Sequence, residues 1–84
     1  MFEPVLTRSL NGGSQDIYRF DNGYGASVIN SWMSYGTELA VIQFSDEDNE
    51  SFSLTYSTPI TGDVIGHIED DNELNTILEQ IKAL

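Results

Sequence analysis

Residues 16–30 read DIYRFDNGYGASVIN, and they carry the strongest structural signal in the chain. Asp21-Asn22-Gly23 lies between two runs that are rich in β-branched and aromatic residues. An Asn-Gly step in that setting is the most reliable short-range indication of a β-hairpin. The stretch therefore predicts two antiparallel strands joined by a tight turn.

The hairpin can pair in two registers, which differ by one residue in the turn. A two-residue loop places Tyr18 opposite Ser27, whereas a three-residue loop that starts at Asp21 places it opposite Ala26. A one-residue slip exchanges the two faces of a strand, so the register that separates the side chains better is preferred. The three-residue loop does this, and it requires a positive φ at Gly23, which glycine adopts without strain. One face then carries Tyr18, Phe20, Tyr24, Ala26 and Val28.

The composition predicts one small acidic domain spanning residues 1–84. Fourteen acidic and three basic residues give a formal net charge of −11. Phosphate contacts need Lys and Arg, so direct nucleic-acid binding is not expected. The charge favours solubility and is compatible with attraction to a basic partner surface, but a soluble protein from an acidic proteome is the preferred interpretation. The chain has no cysteine, no apolar run long enough to span a membrane and no signal-peptide pattern. An intracellular protein without disulfides is expected.

Other strands are predicted on both sides of the hairpin. Residues 5–10 follow Pro4 and indicate an edge strand, and residues 11–14, NGGS, indicate a turn. Residues 38–44, ELAVIQF, are almost continuously apolar, which is typical of a central strand covered on both faces. Residues 51–57 alternate in polarity, which predicts a half-buried strand with its apolar face at Phe52, Leu54 and Tyr56.

The end of the sequence predicts a helix. Asp70 can be its N-cap, with Glu73 three residues later in a pattern like a capping box. Just before it, residues 61–66 predict one helical turn that begins at Thr61 and stops at Gly66. The helix is too short to be stable alone, so we expect it to dock on the apolar face of residues 51–57. Its own apolar stripe consists of Leu74, Ile77, Leu78, Ile81 and Leu84.

These elements together predict an α+β fold, in which an antiparallel β-meander of four to five strands packs against a C-terminal α-helix. Residues 30–37, NSWMSYGT, are ambiguous, because they fit either a long hairpin tip or a bulged continuation of both strands. Trp and Tyr are enriched at binding hot spots, although one or two of them can also simply close a small core. The candidate protein-binding residues are Trp32, Met33, Tyr35 and Tyr24.

A second candidate surface is an acidic patch of Asp46, Glu47, Asp48 and Glu50. Their alternation partly follows a Ca²⁺-binding loop, but Ser51 and Phe52 occupy positions where that loop needs other residues. Zinc is not expected either, since the chain has no cysteine and a single histidine, His67. No neighbouring nucleophile fits a catalytic arrangement with His67, which is interpreted as a structural or exposed residue. The sequence thus predicts no metal, no cofactor and no catalytic residue.

The phrases YRFDNGYGASVI, SYG, ELAV and LTYSTPITGDVIG, followed by a helix, resemble a type of small protein encoded by bacteriophages, especially those of actinobacteria. The resemblance covers about residues 17–84. It implies a phage or prophage origin and a life in the cytoplasm of the host cell. Proteins of this type carry no assigned activity, so the resemblance assigns no functional residue.

Two functions from different classes are compatible with these features, and an enzyme is not expected. The first is a non-enzymatic, phage-derived accessory protein. It would bind a host or phage protein through residues 30–37, which we call the aromatic connection. The second is an acidic nucleic-acid mimic that inhibits a host nucleic-acid-binding protein. Free edge strands would in addition permit a homo-oligomer.

Overall fold

The computed structural model describes residues 2–10, 12–31, 36–60 and 65–84. Within these residues six strands and one helix form an α+β fold, as the sequence predicts. In chain order they are β1 (Leu6–Leu10), β2 (Gly13–Arg19), β3 (Tyr24–Ser31), β4 (Gly36–Phe44), β5 (Phe52–Leu54), β6 (Ile65–Ile68) and α1 (Asp71–Lys82).

The sheet is an antiparallel meander in the order β1-β2-β3-β4-β5, and β6 pairs with β4 as well. β1 is an edge strand, as predicted. The turn after it is tighter than expected, because Leu10 pairs with Gly13, and both Gly13 and Ser14 already belong to β2. The central position of β4 is confirmed, since it pairs with three strands and buries Leu39, Val41 and Ile42 completely.

The hairpin of β2 and β3 has the three-residue turn that the separation of its faces predicts. Tyr18 lies opposite Ala26, and the amide of Phe20 donates to the carbonyl of Tyr24 at 2.9 Å. Gly23 closes the turn with a φ of +86°. Its amide donates to the carbonyl of Phe20 at 3.1 Å. The positive φ explains why glycine is needed at this position.

The core lies between α1 and one face of the sheet. Leu78 and Ile81 of the helix are buried there against apolar side chains of β2, β3 and β4. Docking of the helix on Phe52, Leu54 and Tyr56 was therefore the wrong prediction. The sheet side of this core consists of Tyr18, Phe20, Ala26, Val28, Leu39, Val41 and Ile68.

The strand predicted over residues 51–57 is shorter than expected. β5 contains three residues, and its Leu54 pairs with Ile42 on the face opposite the helix. Leu54 is 49% exposed and Tyr56 is 47% exposed. The alternating pattern is real, but the face that it marks is not the one that the helix covers.

β6 was missed by the sequence interpretation. Ile65 pairs with Leu39 of β4 and Ile68 pairs with Thr37. Gly66 lies in the strand between them, so the predicted helical stop at Gly66 is wrong. The predicted cap, Thr61, lies outside the described residues. A four-residue strand that contains a glycine has too little local pattern to be recognised, because its pairing with β4 is a long-range interaction.

The helix begins at the predicted N-cap. The amide of Glu73 donates to Oδ1 of Asp70 at 2.8 Å, and Oε2 of Glu73 accepts from the amide of Glu69 at 3.2 Å. The pair is reciprocal, although the second bond reaches one residue further back than in a standard capping box. Among the described residues, no helix has the length and apolar character needed to cross a membrane.

The other end of α1 is held by the hairpin turn. Nδ2 of Asn22 donates to the carbonyl oxygens of Ile81 at 2.9 Å, Lys82 at 3.1 Å and Leu84 at 3.3 Å. Oδ1 of the same side chain accepts from the amide of Tyr24 at 3.0 Å. The last carbonyls of a helix have no partner within the helix, so Asn22 supplies a cap from a distant part of the chain.

Candidate functional site

The face of the sheet opposite α1 contains a cleft of about 270 Å³, which we call the second-face cleft. No element among the described residues fills it, whereas the helix covers the other face. Its walls are apolar at Ile29, Ala40, Phe52 and Leu54, and polar at Gln15, Ser27 and Glu38.

Strand register explains why these residues meet. Gln15, Ile29 and Glu38 lie side by side on β2, β3 and β4. Two residues further along the strands, Ser27 lies opposite Ala40. Successive side chains of a strand point to opposite faces, so both rows share the face away from the helix. Ser27 and Ala40 have small side chains, which leave space on this face of the sheet. The cleft lies between them and the side chains of β5.

A hydrogen-bonded chain fixes the polar side of the cleft. Nε2 of Gln15 donates to Oγ of Ser27 at 2.7 Å. Oε1 of Gln15 accepts from Nε and Nη2 of Arg8 at 3.2 Å and 2.8 Å. Ser27 is buried and this chain supplies it with a polar partner, which a buried hydroxyl needs. The Gln15 side chain is therefore held in place at the cleft.

The apolar wall is connected to the acidic loop of residues 45–51, between β4 and β5. The rings of Phe44 and Phe52 meet edge to face, with centroids 5.7 Å apart. The guanidinium of Arg19 lies over the Phe44 ring. It also donates to the backbone carbonyls of Asp46 at 2.8 Å and Glu47 at 2.9 Å. One arginine thus fixes the acidic loop beside the wall of the cleft.

The four predicted acidic residues come together in this loop, and all four are exposed. Two of them have internal roles. Oδ1 of Asp46 accepts from the amide of Glu47 at 2.7 Å. The carboxylate of Asp48 accepts from the hydroxyl and the amide of Ser51, both at 2.7 Å, and from the amide of Glu50 at 2.9 Å. The Ser51 hydroxyl first, then these amides and the charge of Arg19, lower the pKa of Asp48. Asp48 and Asp46 therefore stabilise the loop from within, and all four carboxylates remain at the surface.

Three of the predicted protein-binding residues, Trp32, Met33 and Tyr35, lie outside the described residues. The fourth, Tyr24, is half-buried and packs against the core on the helix side, away from the second-face cleft. In the same core, burial raises the pKa of Tyr18, and nearby carboxylates add to the effect.

In the part of the chain that the structure describes, no three His, Cys, Asp or Glu side chains are grouped as metal ligands. The backbone of His67 lies in β6. The cleft was not predicted from the sequence, because its residues come from four strands. Phe52 and Leu54 were predicted to share an apolar face, but as the face on which the helix docks.

No protein-family model matches the chain, and no curated protein or solved structure matches it significantly. The function is therefore argued from the chain's own surface.

Proposed function

We propose that the protein is a small non-enzymatic accessory protein, and that it binds another protein through the second-face cleft. The observation that supports this proposal is an apolar depression on the sheet face that α1 does not cover. Leu54 at its edge is 49% exposed. An exposed apolar surface next to a shaped cleft is typical of a contact site.

The size and charge of the cleft support a proposal about the chemistry of the partner. Its volume of about 270 Å³ is below the range of about 300–1,000 Å³ that small-molecule sites usually have. It fits one or two side chains of a protein partner. Glu38 lies in the wall and the acidic loop lies beside it. The partner is therefore expected to insert an apolar side chain and to carry basic residues around it.

The aromatic connection extends this proposal along the chain. Trp32, Met33 and Tyr35 lie in sequence between Ile29 and Glu38, which pair with each other and line the cleft. These three residues are the proposed second part of the contact. The resemblance to phage proteins adds the proposal that the partner is a host or phage protein in the cytoplasm of the host cell.

The test compares two exposed apolar residues that receive the same charge. Leu54→Glu places a carboxylate in the cleft, whereas Val5→Glu changes a residue that is 42% exposed and lies outside it. Tagged wild-type and variant proteins are used to capture partners from the host cell, and mass spectrometry identifies them. The proposal expects one protein to be captured by the wild type and by Val5→Glu but lost with Leu54→Glu.

Circular dichroism of both variants checks that each keeps its fold. A partner that is retained by Leu54→Glu in a folded state would contradict binding at the cleft. A further pair, Trp32→Ala and Tyr35→Ala, tests the aromatic connection separately. If both leave the captured partner unchanged, the connection is not part of the contact.

A second candidate is an acidic mimic that occupies a nucleic-acid-binding surface. It is favoured by the exposed carboxylates of Asp46, Glu47 and Glu50 on a loop that Arg19 holds in one conformation. Replacing the three by the matching amides, with Asp48 left intact, should then abolish capture of a basic protein. Such binding would be lost in high salt, whereas binding in the cleft would weaken less, because an inserted apolar side chain contributes to it.

A further inference from the structure

The strongest unassigned feature is the Asn22-Gly23 step in the hairpin turn. We infer that Asn22 is a deamidation site, and that docking of the C-terminal end of α1 controls its rate. Asn22 is exposed to solvent, and the glycine that follows has no side chain to obstruct its backbone nitrogen. Its amide group is at the same time the cap of the helix, which couples the chemistry to the tertiary structure.

The reaction requires only water. The backbone nitrogen of Gly23 attacks Cγ of Asn22, and a new N–C bond closes a succinimide ring. The bond from Cγ to Nδ2 breaks, and ammonia leaves with the proton that the Gly23 nitrogen gives up. Water then opens the ring at either carbonyl, and the product is aspartate or isoaspartate at position 22.

The docked helix opposes the first step. Nδ2 of Asn22 is held by the carbonyls of Ile81 and Lys82, and Oδ1 is held by the amide of Tyr24. The attacking nitrogen of Gly23 is itself engaged, since its N–H donates to the carbonyl of Phe20. The side chain cannot rotate toward the ring-closing geometry without losing these bonds. Release of the helix end removes the bonds to the two helical carbonyls.

The product cannot rebuild the cap. A carboxylate has no N–H to donate, and it would bring negative charge to carbonyl oxygens at the negative end of the helix dipole. Deamidation therefore converts a reversible opening of the helix end into a permanent one. The modification links the age of the protein, or its time in an open state, to loss of the helix contact.

The rate is measured by peptide mapping after incubation of the protein in mildly alkaline buffer, with mass spectrometry and isoaspartate detection. The rate at Asn22 should rise at least about fivefold in Ile81→Ala. The substitution removes a buried side chain that docks the end of α1, and local opening of this end is less costly than global unfolding. Leu84→Ala is a milder variant of the same contact. Wild-type protein in urea gives the rate of the open chain, which should be the highest.

A synthetic peptide of residues 18–27, incubated with and without urea, corrects for the effect of urea on the chemistry. The variant Asn22→Asp tests the effect of the product on stability. The midpoint of its thermal unfolding should lie well below that of the wild type. Gln80→Glu is its control, because it adds charge in the last turns of the helix and leaves the cap in place. Asn22 rates in both helix variants that equal the wild-type rate, or an Asn22→Asp midpoint no lower than that of Gln80→Glu, would overturn the inference.

Discussion

The guanidinium of Arg19 lies 4.4 Å from the centroid of the Phe44 ring. This contact joins the two surface features of the protein. Phe44 supports Phe52 in the wall of the second-face cleft, and Arg19 holds the backbone carbonyls of the acidic loop. The apolar cleft and the exposed carboxylates therefore keep a fixed relative position, as a surface that recognises an apolar and basic partner would require.

Replacing Arg19 by Lys should loosen the acidic loop. A lysine keeps the charge but loses the planar fork that reaches several carbonyls at once. Because hydrogen bonds to charged groups contribute about 1.5–3 kcal/mol each, we expect a loss of about 1–3 kcal/mol in the free energy of unfolding. Urea denaturation measures this loss, and amide exchange of residues 46–51 should accelerate.

The matched control is Arg8→Lys. Arg8 is exposed, and among the described residues it donates to the side-chain oxygen of Gln15 alone, so its replacement should cost about 0.5 kcal/mol or less. Equal effects of the two substitutions would show that Arg19 has no special role in the loop.

Gly25→Ala should be strongly destabilising. A Cβ at this position would collide with the carbonyl oxygen of Tyr18 and lie 2.8 Å from Cε2 of Phe44. The backbone oxygen cannot move without disturbing the hairpin, so we expect a cost of about 3 kcal/mol, at the upper end of typical overpacking effects. Gly66→Ala is the control, because no atom of the described residues lies within 4 Å of its Cβ position. Denaturation midpoints of the two variants should differ widely, and similar midpoints would contradict the predicted collision.

Acid should weaken the loop through Asp48. The pKa of Asp48 is lower in the folded protein than in the unfolded chain, chiefly because of the Ser51 hydroxyl. Its contribution to stability is therefore complete above the ordinary pKa of aspartate and is lost as the pH falls through the folded value. An NMR titration of the carboxyl carbon measures the midpoint. Ser51→Ala should raise that midpoint, and an unchanged midpoint would show that the hydroxyl is not its main cause.

The sequence predicts the parts of the fold that depend on local signals. The turn at Asp21-Asn22-Gly23 and the separation of faces beside it are enough to choose the register of β2 and β3. The burial of residues 38–44 follows from a run without polar interruption. The N-cap at Asp70 follows from residue type and spacing. In each case neighbours in the sequence supply the deciding interaction.

The sequence does not predict which face of the sheet the helix covers. β4 is apolar on both faces, so either face is able to bury a helix. Phe52 and Leu54 show the pattern of an interior face, yet they line the second-face cleft. The cleft itself depends on the alignment of β2, β3 and β4, which is a property of long-range pairing. The same holds for the cap of α1 by Asn22, where the partners are 59 residues apart.

The position of the helix can be tested by comparing Ile81→Ala with Leu54→Ala. Ile81 is completely buried under the helix, and its truncation leaves a cavity beside the sheet. A cost of about 2–5 kcal/mol is expected for such a change. Leu54 lies on the other face and is half exposed, so its truncation should cost about 0.5–1 kcal/mol. Urea denaturation followed by circular dichroism gives both values.

The opposite ranking would follow if the helix were docked on the face of Phe52 and Leu54, as the local alternation alone suggests. Leu54 would then be a core residue with a large truncation cost. Val28→Ala adds an independent check, since Val28 is buried on the helix side of β3 and is not among the residues that line the cleft. Its substitution should destabilise the protein and leave partner capture at the cleft intact. Leu54→Ala should do the reverse, because it removes contact area from the cleft while the core keeps its packing.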